Sequence, residues 1–363
     1  MTTTAPRPTV VGALRAQAFK LAERVTTPLL PADYLDVIDP LRSANNLRGR
    51  IVAIHPETRD AASVVIKPGR AWRTHVPGQY IRIGVDVDGV RQWRAYSLTS
   101  PTDRPDGHIA ITVKAIPGGV VSNYMVRRAT VGTVVQLDQA SGDFTLGDAQ
   151  PGQILFVTAG SGITPVMGML RNMADGNSDV VVVHSAPTCD DVIFGGELRM
   201  MAKQGRIRLV ERHTDKDGML DVAELSQLVD DVAERHTWAC GPAGMLDALQ
   251  SRWGADGIAD RLHVERFRPT VIAAGEGGTV TFTKSATVID ADGSQTLLDA
   301  GEAAGVLMPS GCRMGICFGC VVPLRQGAVR DLRSGDLTIA TPGDDVAIQT
   351  CVSAAAGACD IEL

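Results

Sequence analysis

The chain lacks any uninterrupted apolar run of the roughly 18 residues that a membrane span requires, and residues 1–10 have no charged start followed by an apolar core. Neither a spanning helix nor a secretory signal is therefore expected. An excess of basic charge is also missing: the formal net charge is −6, which argues against nucleic acid as a partner, because phosphate binding needs a basic face. There is no internal repeat and no low-complexity tract. Two familiar fingerprints are absent as well. No second C-x2-C pair accompanies the first, as a zinc ribbon would want, and no G-x-G-x-x-G opens a helix. What remains is ordinary globular material: 363 residues, 44% hydrophobic and 21% charged, long enough for two to three domains of about 100 to 200 residues each.

The strongest positive signal lies near the C-terminus. Cys312, Cys317 and Cys320 stand in the spacing C-x4-C-x2-C, with Cys351 further on in Gln349-Thr350-Cys351. This is the plant-type ligand pattern of a [2Fe-2S] cluster, in which soft thiolates supply charge and covalency that carboxylate and imidazole do not. Gly311, Gly315 and Gly319 punctuate the cysteines and let the backbone curl with its N–H groups toward sulfur. The competing readings are a structural zinc site and disulfides. Of the seven cysteines, Cys189, Cys240 and Cys359 are left as free thiols, which fits a reducing compartment and makes the cytoplasm the expected location of a soluble protein.

Along the chain, Val11, Leu14, Ala18, Leu21, Ala22 and Val25 recur at helical spacing, with Arg15, Lys20 and Arg24 elsewhere on the wheel. A basic amphipathic helix can lie on a membrane, but the short, alanine-rich stripe favours one packed on its own protein. From Gly49 to Gly147 short alternating stretches separated by Pro-Gly, Asp-Gly and Gly-Gly turns predict a small antiparallel barrel. Ile154–Val157 is instead apolar throughout and runs into a glycine loop, and Val180–Val183 repeats the pattern, so strands alternating with helices predict a parallel sheet. Small residues and Pro269 mark a linker over 268–278. Beyond it, 279–282 and 286–289 are expected to pair as a hairpin and 297–304 to form a helix before the cysteine loop.

Five segments are read for cofactor chemistry. Arg94-Ala95-Tyr96-Ser97 ends a barrel strand: arginine can pair with phosphate, tyrosine offers an aromatic face, and serine can reach ring nitrogens. Gly118 and Gly119 precede a helix that includes Ser122, whose free N–H groups suit a pyrophosphate. Thr158, Gly160, Gly162 and Thr164 form the loop directly after the apolar strand, where glycines allow close backbone approach. Cys240-Gly241-Pro242 follows a later strand, and Glu265-Arg266-Phe267 closes the region. Taken singly, each also fits a bland turn or a half-buried strand.

With these motifs in order, the chain resembles the ferredoxin–NADP reductase family, fused to a plant-type ferredoxin. The resemblance implies a multidomain fold: an antiparallel β-barrel for the flavin, an α/β parallel-sheet nicotinamide domain and an α+β β-grasp ferredoxin domain. The expected boundaries are an N-terminal helical extension over 1–46, the FAD barrel over 47–148, the NAD(P) domain over 149–267, the linker over 268–278 and the [2Fe-2S] domain over 279–363. Arg94, Tyr96, Ser97, Gly118, Gly119 and Ser122 are then expected to hold FAD, with FMN the lesser alternative. Thr158, Gly160, Gly162, Thr164, Cys240, Gly241 and Pro242 are expected to receive NADPH or NADH. Tyr96, Ser97, Cys240 and Glu265 are expected to stand at the reacting rings, and Cys312, Cys317, Cys320 and Cys351 to bind iron.

A nicotinamide donates two electrons together and a [2Fe-2S] cluster accepts one, so a flavin is needed between them. A redox sensor, by contrast, needs no hydride acceptor. Arg199 and Arg212 are candidates for a ribose 2′-phosphate, with Pro187 standing where a further arginine would be more persuasive, so the balance leans slightly to NADPH. The N-terminal extension, with Pro31-Ala32-Asp33-Tyr34-Leu35, resembles that of actinobacterial reductases serving membrane diiron fatty-acyl desaturases. The alternative acceptor is a ring-hydroxylating, steroid or alkane oxygenase. Either is an oxygen-activating enzyme, and a membrane partner would bring the chain to the inner face of a membrane.

Overall fold

The computed structural model describes residues 39–42, 46–147, 150–174, 176, 178–267, 273–315 and 317–363, in which three sheets follow one another along the chain. The helix expected over 9–26 and part of the linker lie outside the described residues.

The first sheet is antiparallel, in the order β4-β3-β6-β1-β2-β5. Its strands are β1 (Arg48–Thr58), β2 (Ala61–Pro68), β3 (Tyr80–Val87), β4 (Val90–Ser97), β5 (Ile109–Lys114) and β6 (Val134–Leu137). A bridge between Leu98 and Ile111 joins the two ends of this path and closes the barrel. Ile51, Ile66, Ile81, Ile83 and Ile111 fill its interior, because inward residues recur with the two-residue period of a strand. Helix α1 (Val120–Arg127) adds Val121 and Met125 to that core.

The second sheet is parallel, in the order β11-β10-β7-β8-β9. It comprises β7 (Gln153–Ala159), β8 (Asp179–Ala186), β9 (Arg208–His213), β10 (His236–Cys240) and β11 (Leu262–Glu265). Alternate residues of one strand enter different cores. Ile154, Phe156 and Val182 pack beneath α2 (Ile163–Leu170) and α3 (Gly195–Lys203), and Leu155, Val157 and Val183 pack against α4 (Ala243–Ala255). A strand covered on both faces must be apolar throughout, which is why this sheet has no alternation. Helix α2 also rests on the barrel: Arg171, paired with Glu197 at 2.5 Å, donates to the Thr99 carbonyl at 2.7 Å.

The third sheet is mixed, in the order β13-β12-β17-β14-β15 with β16 also on β14, and only the β12–β17 pair is parallel. The strands are β12 (Gly278–Phe282), β13 (Thr287–Ala291), β14 (Val321–Asp331), β15 (Leu337–Ala340), β16 (Val346–Gln349) and β17 (Ser353–Ile361). Helix α5 (Leu297–Ala303) packs Leu297 and Leu298 onto Val280, Phe282 and Leu324. Its N-cap is Thr296, whose hydroxyl accepts from the Asp299 N–H at 3.1 Å. The hairpin and the helix expected here are both present, and the cysteine loop runs between α5 and β14.

Candidate functional site

The end of β4, the start of α1, the loop after β7, the end of β11 and the cysteine loop surround one cavity of about 720 Å³. The barrel contributes Tyr80, Arg94, Tyr96, Ser97, Gly119 and Ser122. The parallel-sheet region adds Ser161, Thr164, Glu265 and Phe267, and the C-terminal domain adds Thr296, Asp299, Cys312, Arg313 and Cys351. Nine residues singled out from sequence thus share one space: Arg94, Tyr96, Ser97, Gly119, Ser122, Thr164, Glu265, Cys312 and Cys351.

Several polar groups in this wall are left for a ligand. Arg94 is in no ion pair among the described residues, and its guanidinium donates to the Trp93 carbonyl at 2.7 Å. Burial, with the Arg313 charge second, pushes it down to about 10. A half-buried cation in that state favours an anion. The Ser97 Oγ and the Glu265 Oε2 are buried without a hydrogen-bond partner. Burial raises Glu265 to about 8, so its carboxyl carries a proton at neutral pH. Burial likewise raises the Tyr96 hydroxyl, which leaves that ring a neutral aromatic wall. These groups suit the phosphate and the polar ring edge of a flavin.

At α1, Gly118 takes a positive φ of 69°, and Gly119 caps the helix without a side chain. Ser122 Oγ donates to the Gly119 carbonyl and accepts from the Ile116 N–H, each at 3.3 Å, so this serine first of all shapes the turn.

The loop after β7 and the turn after β10 are pressed together. A Cβ on Gly162 would collide with the Cys240 carbonyl, and one on Gly241 would lie 3.3 Å from the Ala159 nitrogen. Gly160 turns the chain with a φ of 53°, and Thr164 Oγ1 donates to the Ser161 carbonyl at 2.9 Å. Thr158 is fully buried, with Oγ1 2.8 Å from His184 Nδ1. His184 is itself pushed down to about 4 by burial and the His213 charge, and is therefore neutral. Cys240 is buried too, paired in register with Thr158 on one side and Glu265 on the other. Its thiol is raised by burial and then by the Glu265 charge. Pro242 serves as the N-cap of α4. Thr158, Gly162, Cys240, Gly241 and Pro242 thus form the packed junction of the loop after β7 with the turn after β10, and Ser161 and Thr164 face the cavity.

The four cysteines are arranged two by two. The Cys312 N–H donates to Cys317 Sγ at 3.1 Å and the two side chains hydrogen-bond, while Cys320 hydrogen-bonds Cys351. All seven cysteines are free thiols, so the disulfide reading fails. Among the described residues, no three His, Cys, Asp or Glu side chains converge enough to hold one metal ion. Four soft thiols in one region suit the ligand set of a [2Fe-2S] cluster.

The loop is also charged for thiolates. Although burial opposes it, N–H donation from Cys312 and Gly319 and the Arg82 charge hold Cys317 below its ordinary value. Cys320 is pushed down to about 6, first by the Cys351 thiol, which rises in turn. Gly319 N donates to Cys317 Sγ at 3.4 Å and Met314 N to Cys312 Sγ at 3.3 Å. Arg313 and Phe318 adopt φ of 60° and 55°, the left-handed region that lets the loop curl round sulfur.

Tyr80, Arg82 and Arg313 were not singled out as site residues from sequence. Tyr80 stands in the cavity wall near Cys312, Cys317 and Glu265. Arg313 donates to Asp299 at 3.1 Å and pairs with Glu302, tying the cysteine loop to α5. Arg313 stands between Cys312 and Cys317, which was its one available signal. Tyr80 and Arg82 sit on a barrel strand far from any motif.

The two candidate 2′-phosphate arginines already have partners: Arg199 pairs with Glu211 at 3.1 Å and Arg212 with Glu224 at 3.0 Å.

Comparison with known proteins accords with this layout. Residues 59–146 match the oxidoreductase FAD-binding domain, 156–251 the oxidoreductase NAD-binding domain, and 280–356 the 2Fe-2S iron-sulfur cluster binding domain. The chain is 50% identical to an NADPH oxidoreductase of Mycobacterium tuberculosis, over 98% of this chain and 96% of that protein. It is 29% identical to a glycine betaine monooxygenase reductase subunit of Pseudomonas aeruginosa, over 77% of this chain and 85% of that one. Among solved structures, phthalate dioxygenase reductase superposes with a TM-score of 0.60 at 22% identity, covering 87% of this chain and 97% of the other, and so shares the fold.

Proposed function

This chain belongs to the ferredoxin–NADP reductase family, in the form that carries its own [2Fe-2S] domain, and from that premise we propose that it passes electrons from NADPH to an oxygen-activating iron enzyme, with a membrane diiron stearoyl-CoA desaturase as the acceptor. The observation that carries the relay is the single cavity walled by Arg94, Tyr96 and Ser97, by Glu265, and by Cys312 and Cys351. A bound flavin supplies the conversion from paired to single electrons.

In this reading Arg94 holds the FAD phosphate with a charge-assisted hydrogen bond, and the Gly118–Ser122 turn leaves room for the pyrophosphate. Tyr96 covers a ring face. The Ser97 hydroxyl and the protonated Glu265 carboxyl meet the ring's polar edge, and Glu265 keeps a proton there that no other described group satisfies. The Thr158–Thr164 loop and the Cys240–Pro242 turn form the nicotinamide shelf, and positioning is most of what hydride transfer asks of a protein. Cys312, Cys317, Cys320 and Cys351 would hold the [2Fe-2S] cluster, which would take up one electron at a time. Phe318, beside Cys317 and 68% exposed, marks the outward face of the loop, where an acceptor approaches.

One consideration supports the desaturase as acceptor: the N-terminal extension, with Pro31-Ala32-Asp33-Tyr34-Leu35, resembles that of desaturase-linked reductases. The name of the 50%-identical relative favours NADPH as donor. A specific observation favours a second reading: the 29%-identical relative is a monooxygenase reductase subunit, which makes a soluble oxygenase the alternative acceptor.

Reconstitution decides between them. The protein is combined with NADPH and either a membrane diiron desaturase or an oxygenase, and product is counted. Desaturated acyl product that depends on this chain supports the first reading, and inactivity toward the desaturase with turnover of the oxygenase removes it.

A further inference from the structure

Arg82 lies on β3 directly opposite Ala95, between the cross-strand partners of Arg94 and Tyr96, yet its guanidinium leaves the barrel. It reaches the neighbourhood of the Cys317 sulfur in the C-terminal domain, where both groups crowd Gly311 and Gly319. These two glycines clear the space for this approach. A Cβ on Gly311 would collide with Cys317 Sγ and lie 3.2 Å from Arg82 Nη1, and one on Gly319 would meet the same atoms at 3.4 and 3.5 Å. On the barrel side, Arg82 Nε lies 2.6 Å from an Asp138 carboxylate oxygen, and the guanidinium carbon sits 5.2 Å from the Trp93 ring centroid. The barrel thus holds the side chain before the sulfur is met. Only a planar fork with several N–H groups can serve a carboxylate, an aromatic face and a sulfur together.

We propose that Arg82 controls the iron–sulfur centre from the neighbouring domain: its positive charge beside the Cys317 sulfur raises the reduction potential of the cluster and makes that potential depend on the docking of the ferredoxin domain against the barrel. The inference rests on the reading of Cys312, Cys317, Cys320 and Cys351 as the ligands. Reduction adds one negative charge, and a positive charge beside a ligand sulfur stabilises the reduced form more than the oxidised one. Because the charge and the sulfur belong to different domains, the effect is reciprocal. Whatever factor docking adds to the affinity for the electron, reduction adds to the strength of docking. Gaining an electron tightens the contact, and giving it to the acceptor loosens it. Asp138 works in the opposite sense by tempering the Arg82 charge.

The test is an EPR-monitored potentiometric titration of the full-length, cluster-loaded protein, with the flavin potential as internal reference. Arg82→Gln is expected to lower the reduced-to-oxidised ratio at fixed potential about tenfold, or 59 mV for one electron, with the flavin unmoved. Asp138→Asn is expected to shift the cluster the other way by roughly threefold, and Arg82→Lys to fall between Arg82→Gln and the parent. A cluster potential in Arg82→Gln within about twofold of the parent ratio, or a flavin that moves as far, overturns the proposal. If Arg82→Gln does not retain its cluster, Asp138→Asn decides alone: an upward shift supports the proposal and an unchanged or lowered potential refutes it. A parent protein with no [2Fe-2S] signal would instead defeat the ligand reading.

Discussion

The loop after β7 and the cysteine loop are both punctuated by glycine, and they need it for opposite reasons. At Gly162 the missing side chain lets one backbone touch another, since a Cβ there would strike the Cys240 carbonyl. At Gly311 the missing side chain leaves space for Cys317 Sγ and the Arg82 guanidinium. The first glycine belongs to the architecture of the parallel sheet, and the second belongs to the space around the cysteine loop. A glycine-rich motif therefore says only that something comes close, and the structure says what.

The contrast can be broken most severely at the sulfurs. Cys317→Ser should abolish the [2Fe-2S] absorbance and EPR signal while leaving flavin reduction by NADPH intact; loss of both would show that the two regions are not separable. Next come the glycines themselves. Gly162→Ala should destabilise the fold by about 1 to 3 kcal/mol in a denaturant melt, because backbone cannot yield as a side chain does. Gly311→Ala should instead lower the iron content with little change in the melt of the flavin-bearing part. Equal effects on both readouts would erase the distinction.

Arg94→Ala sharpens the barrel's side of the comparison. Loss of a charge-assisted contact should weaken flavin retention by about 1.5 to 3 kcal/mol, measured by equilibrium dialysis. Unchanged retention would place the phosphate elsewhere. The smallest effect is expected at Glu265, whose carboxyl is raised to about 8 by burial from an ordinary value of 4.5. A raised acid means that the folded state binds the proton more tightly than the unfolded one. Its contribution is full below the unfolded value and is lost as pH climbs through that window to about 8. Glu265→Gln should therefore flatten the pH dependence, gaining about 1 to 2 kcal/mol on the parent between mildly acidic and mildly alkaline melts. A parallel pair of curves would show that Glu265 is not held protonated.

Much of this was legible beforehand because the signals are local. The alternation around Ile81 and Ile83 announces a strand with one buried face, and the unbroken run Ile154–Val157 announces one buried on both. The cysteine spacing announces its cluster because three ligands come from a single loop. The residues that were missed act across domain boundaries. Nothing next to Tyr80 or Arg82 in sequence hints that either side chain approaches Cys317, since that proximity depends on how separately folded parts meet. Thr158 illustrates the reverse. Its place in a glycine loop suggests a cofactor contact, yet its hydroxyl is buried on His184, because a strand's last inward residue belongs to the core before the loop begins.

The relay through one shared cavity is tested most directly by anaerobic rapid mixing of the loaded protein with NADPH, with flavin and cluster absorbance followed separately. The account predicts that flavin bleaching comes first and cluster reduction follows from it, and that in Cys317→Ser the flavin stays reduced with no second phase. Cluster reduction that precedes the flavin, or that proceeds in protein stripped of flavin, would contradict it.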